Sequence, residues 1–184
     1  MINRKIRFTV ASVLAISGMN ASAAQRHASS TPVLESYLEV GFNYRMTDIQ
    51  AAVGLVQLGR LDVLVARRRE LAARYRQALA DVRGIIVPGD PSYGASNYQT
   101  FWVLLDDDFP MTRDELMVRM TEQGISPRRG IMAAHLEPAY AAHPHVELPV
   151  TERLTRNTIV LPLFDELTAA EQDSVVAVLA SAAA

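Results

Sequence analysis

The 184-residue chain has no cysteine and a single lysine, Lys5. The first absence excludes disulfides, thiolate nucleophiles and cysteine-based zinc sites. The second leaves no amine in the body of the chain to bond a carbonyl carbon. The other seventeen basic residues are arginines, whose guanidinium stays protonated and is not nucleophilic. Positive charge is not in excess either: the formal net charge is −2, so there is no basic field to draw nucleic acid. The sequence also lacks a Gly-rich phosphate loop, a dinucleotide fingerprint, a nucleophile elbow, internal repeats and sustained heptads. What remains is an ordinary globular balance, 49% hydrophobic and 21% charged, long enough for one domain with a real core.

Along the chain, residues 1–24 read as an export signal. Arg4, Lys5 and Arg7 precede an apolar run from Phe8 to Met19, too short to span a bilayer, and Ala21-Ser22-Ala23 gives a small-residue cleavage pattern. The alternative is a buried N-terminal segment, or one created by a misplaced start codon. Residues 25–46, Ser/Thr/Ala-rich at first, read as a linker and a loop, and residues 47–184 as the folded domain.

Three capping boxes punctuate that domain: Thr47 with Gln50, Thr112 with Glu115, and Thr168 with Glu171. The first opens a helix whose apolar face is marked by Ile49, Val53, Val56, Leu61 and Leu64 and continued by Leu71, Tyr75 and Leu79, with a kink or break expected at Gly59 to Asp62. The second opens a helix closed by Gly124, and the third a final helix fraying into Ala182-Ala183-Ala184. Strands are expected at Ile85 to Val87, Tyr98 to Leu105, Ile125 to Gly130 and Ile159 to Leu161, with Met132 to Leu148 irregular. The sum is an α/β (α+β) domain: a small, mostly antiparallel sheet covered on one side by helices, one of them long or kinked.

Chemistry-bearing residues are sparse. Gly41 to Ala52 is a polar, Gly-led loop running into a capped helix, where backbone N–H groups and a positive helix end suit a phosphate. Asp106-Asp107-Asp108 reads as a turn and helix approach rather than a metal site, and His143-Pro144-His145 with Glu147 is weak as a metal set. Arg67-Arg68-Arg69 reads as a solvated face, with Glu70 pairing to Arg74 one turn on.

The segment Gly41-Phe42-Asn43-Tyr44-Arg45-Met46 through Ala52, followed by Gln57-Leu58 and Leu61-Asp62, resembles the DegT/StrS-type sugar aminotransferase family. Further matches follow in order: Arg67-Arg68-Arg69 to Tyr75; Ser96-Asn97-Tyr98-Gln99 with Phe101-Trp102; Gly124-Ile125 through Arg128-Arg129-Gly130-Ile131-Met132. His135-Leu136-Glu137-Pro138-Ala139-Tyr140 and Leu161-Pro162-Leu163 with Thr168 complete the set. The resemblance covers about Tyr37 to Leu179, and implies the C-terminal small domain of a fold-type I enzyme dependent on pyridoxal 5'-phosphate (PLP). It implies a phosphate contact for Asn43, reaching across a dimer interface, with Arg45 adding charge nearby, and a place for His135 on the sugar-nucleotide side. Tyr98 and Trp102 read as core. The family's cofactor lysine belongs to a large domain that does not match here, so the chain alone is expected not to transaminate.

The expected function is therefore that of a truncated member of the family. The parent reaction transfers an amino group to a keto-sugar nucleotide in polysaccharide, cell-surface glycan or antibiotic sugar biosynthesis. The implied partners are a second copy or a complete homologue, an amino-acid donor and the sugar nucleotide, with no nucleic acid and no membrane span. Two alternatives stand beside it: a non-catalytic dimerisation partner of a complete paralogue, and an exported remnant without enzymatic role. Location is cytoplasmic by resemblance, or exported if residues 1–24 act as a signal.

Overall fold

The computed structural model describes residues 28–31, 40, 42 and 46–184. The signal-like residues 1–24, and Asn43 and Arg45, lie outside the described residues. Two compact units divide the chain, Met1–Gly59 and Arg60–Ala184.

In the first unit the capping box forms as expected. Thr47 N–H donates to Gln50 Oε1 at 2.9 Å, and Gln50 N–H donates to Thr47 Oγ1 at 3.3 Å. It opens helix α1, Asp48–Ala78, 31 residues without interruption. The kink or break expected at Gly59 does not occur, because one glycine costs only about 1 kcal/mol within a run of good helix formers. The N-terminal turns leave their apolar side chains in solvent: Ile49 is 79% exposed and Val56 65%. By length and apolar content α1 is the one helix among the described residues that could cross a membrane.

The second unit is a four-stranded antiparallel sheet backed by helices. Its strands are β1 (Ile85–Ile86), β2 (Phe101–Leu105), β3 (Arg128–Arg129) and β4 (Thr158–Leu161), in the order β1-β2-β4-β3. The register pairs Phe101 with Leu161 and Val103 with Ile159, so β2 and β4 put matching apolar residues on one face. That face packs with Leu71, Tyr75 and Leu79 of the α1 end, with Leu116 and Met120 of α2 (Arg113–Glu122), and with Val175 and Leu179 of the final helix. Trp102, on the alternate side of β2, is only half-buried, and Tyr98 flanks the core.

The expected strands are shorter in the fold, for identifiable reasons. Tyr98 adopts φ 46°, off the extended region, and the preceding Ser96 and Asn97 side chains accept from the N–H groups of Tyr98 and Gln99. Pairing on β2 therefore starts at Phe101. On the β3 side only Arg128 and Arg129 face β4 in register.

The stretch after Leu148 departs furthest from expectation. Pro149–Asn157 forms a helix, α3, with Pro149 in its first turn, where a missing N–H costs nothing. The last helix, α4 (Ala169–Ala183), keeps its end ordered: Ala182 is buried, not frayed.

Arg67, Arg68 and Arg69 are not merely a solvated face. Arg67 donates to the carbonyls of Asp165 and Leu167, Arg68 to those of Tyr98 and Gln99, and Arg69 to that of Ser96. Glu70 pairs back to Arg67 at 2.8 Å, and Arg74 pairs with Asp173 at 2.7 Å, so the expected Glu70–Arg74 pair is not made. Three consecutive guanidinium groups thus tie two distant loops to one helix.

Candidate functional site

Of the site residues the sequence suggested, His135 is the one the structure describes. It sits in a 3-10 turn, Ala134–Leu136, followed by a second, Pro138–Tyr140. The segment is held from both sides. Arg129 at the end of β3 pairs with Glu137 at 3.2 Å and approaches Met132 sulfur at 2.8 Å. On the other side, α3 brings Glu152 to His135, with Nε2 to Oε1 at 3.6 Å.

The His135 side chain is only 10% exposed, and its Nε2 is closed off from solvent with no hydrogen-bond partner. Glu152 accepts from Arg156 through its other oxygen. The His145 ring lies with its centroid 4.7 Å from that of His135, tilted by 47°, and its Nδ1 is 3.0 Å from the Val146 carbonyl. His143 packs against Tyr140 at 5.8 Å instead. Two of the three histidines of this stretch are thus brought together, with a carboxylate that sequence reasoning did not connect to them. The signal for it was present: Leu148-Pro149 followed by an acid three residues after the proline is a helix start.

Among the described residues no group of three or more His, Cys, Asp or Glu is arranged to hold a metal ion. Asp106-Asp107-Asp108 forms a turn, with Phe109 N–H donating to Asp106 O and Arg153 pairing to Asp106 at 2.6 Å. A cleft of about 730 Å³ opens elsewhere, between the β2 and β4 ends and the α4 start, walled by Gln99, Ile125, Arg128, Arg129, Phe164 and Ser174. His135 does not line it.

Taken together, the layer of helices on a small antiparallel sheet defines an α/β (α+β) domain. The chain belongs to the DegT/DnrJ/EryC1/StrS aminotransferase family, whose model matches residues 3–180.

Solved structures agree. The aminotransferase TlmJ from Streptoalloteichus hindustanus is 29% identical with a TM-score of 0.70, over 97% of this chain and 44% of that one. DesV of S. venezuelae, solved in complex with a ketimine intermediate, is 30% identical with a TM-score of 0.71, over 80% and 39%. DesI, solved in the presence of its TDP-sugar product, is 31% identical with a TM-score of 0.71, over 78% and 37%. The chain thus spans less than half the length of each.

Aminotransferases of this family depend on PLP. Among the described residues there is no lysine.

Proposed function

We propose that this chain provides the small-domain half of a PLP-dependent sugar-nucleotide aminotransferase, with residues 47–184 as its aminotransferase-like region. The parent activity is amino transfer to a keto-sugar nucleotide in polysaccharide, cell-surface glycan or antibiotic sugar biosynthesis. By itself the polypeptide does not transaminate. One observation carries the reading: a family match along nearly the whole chain, in a sequence whose one lysine is Lys5. In this reading Asn43, with Arg45 beside it, faces the cofactor phosphate of a complete partner, and His135 faces the sugar nucleotide. Purified chain mixed with PLP and then reduced with borohydride is expected to retain no pyridoxyl mass. A stoichiometric adduct overturns the claim of inactivity.

A second reading is favoured by the exposed apolar side chains of α1: a non-catalytic partner that docks on a complete homologue and supplies Asn43 in trans. Co-purification with a lysine-bearing homologue, lost on Asn43→Ala or Val53→Asp, supports it. Elution as a monomer that ignores such homologues removes it. Location in the cytoplasm follows the family, and the exported remnant is the alternative. Mass spectrometry of the N-terminus of the protein as it occurs in cells separates them, since a chain starting after Ala23 means export.

A further inference from the structure

We propose that Glu152 is a positioning residue that holds the His135 ring with its proton on Nε2, leaving Nδ1 as a bare hydrogen-bond acceptor. The inference deepens the reading above, in which His135 faces a sugar nucleotide, and rests on it for the identity of the ligand.

The argument starts from the closed side of the ring. Nε2 of His135 is shut off from solvent, and the group facing it is a Glu152 oxygen 3.6 Å away. A lone pair there would confront a carboxylate across a dry gap. A proton there faces an acceptor, at a separation beyond ordinary hydrogen-bond length. Glu152 is itself fixed, since its second oxygen accepts from Arg156 one turn along α3. A neutral imidazole carries one proton, so with Nε2 protonated Nδ1 can only accept.

The neighbouring ring is set the same way by a different partner. Nδ1 of His145 lies 3.0 Å from the Val146 carbonyl, which can only accept, so His145 is protonated at Nδ1 and bare at Nε2. With those protons placed, Nδ1 of His135 and Nε2 of His145 are both acceptors, on rings whose centroids lie 4.7 Å apart. That pattern suits a ligand rich in hydroxyl donors and lacking negative charge at the point of contact, as a sugar ring does. The charged groups nearby are Glu152, Arg156 and, between the two 3-10 turns, Glu137 paired with Arg129.

The test is NMR of the full chain labelled with 15N-histidine, above the titration range of the rings. The expected wild-type signature is a downfield, slowly exchanging Nε2–H proton on His135, a Nδ1–H form of His145, and no protected proton on His143. Glu152→Met, of similar volume, is expected to lose the His135 signal and leave that of His145. A wild-type His135 protonated at Nδ1, or a protected Nε2–H that persists in Glu152→Met, overturns the proposal. The wild-type spectrum decides the first point even if the variant does not fold. Adding TDP-glucose tests the underlying reading separately. A shift of His135 Nδ1 supports it, and no shift with the Nε2–H signature intact sinks the sugar contact while Glu152 keeps its role.

Discussion

Gly130 illustrates how tightly single positions are constrained in the second unit. Its N–H donates to the Thr158 carbonyl at 3.0 Å, and a methyl group built on it would meet Thr158 Oγ1 at 1.8 Å and Thr158 Cβ at 2.5 Å. Thr158 cannot give way easily, because it is buried and its hydroxyl donates to Leu154 O at 2.6 Å. Gly130→Ala is therefore expected to destabilise by about 1–3 kcal/mol, the usual cost of overpacking, read as a lower urea midpoint with an unchanged slope. Tyr75 is the polar counterpart. Burial pushes its hydroxyl pKa up, and the O–H donates to Pro162 O at 3.1 Å. Tyr75→Phe leaves that carbonyl without its donor, and a loss of about 1 kcal/mol is expected by the same measurement. At this scale the sequence was partly legible. Tyr75 belongs to a helical apolar stripe and reads as core from spacing alone. The roles of Arg67, Arg68 and Arg69 were not legible, because their acceptors are loop carbonyls some thirty to a hundred positions away, and no local pattern records a carbonyl.

At the scale of elements, caps carry the most transferable information. All three capping boxes expected from Thr-x-x-Gln/Glu form. Each is a local event within four residues, so tertiary structure has little chance to override it. Thr112→Ala and Thr168→Ala are each expected to cost about 1 kcal/mol, measured by chemical denaturation. The caps also set an acid dependence. The N–H groups of Thr112 and Thr168, then their hydroxyls, hold the Glu115 and Glu171 carboxyls below the usual carboxylate range. A depressed folded-state pKa contributes stability above the ordinary value and loses it as pH falls through the folded value. Glu115→Gln with Glu171→Gln, which keeps the reciprocal bond without a titrating proton, is expected to flatten the loss of stability on acidification. An acid limb as steep as that of the wild type would contradict this. Helix α3 escaped the sequence reading for the opposite reason. It has no side-chain cap, its N-cap being Leu148, and only nine residues. It follows a proline-bearing stretch that reads as irregular, so the partner of His135 went unseen while His135 itself was picked out by resemblance.

At the scale of the whole molecule, α1 shows two kinds of surface on one continuous helix. Its C-terminal turns bury Leu71, Ala72 and Tyr75 in the core of the second unit, whereas its N-terminal turns expose Ile49, Val53 and Val56. Those three recur at four and three residues, the spacing of a helix face, and form a stripe, while Leu55 and Leu58 are exposed on other sides of the same turns. A monomer rarely leaves such a stripe in water. Arg60 and Asp62 follow it within the helix, which favours a protein surface over lipid as its cover, since charges near the middle of a span are costly. The purified chain is accordingly expected to bind a hydrophobic dye and to associate as its concentration rises, as sedimentation would show. Val53→Asp combined with Val56→Asp is expected to reduce both effects. The melting of the second unit should stay where it was, because neither residue belongs to its core. If the double variant instead melts lower and still associates, the stripe is part of the fold's own stability, and the docking reading of α1 loses its physical basis.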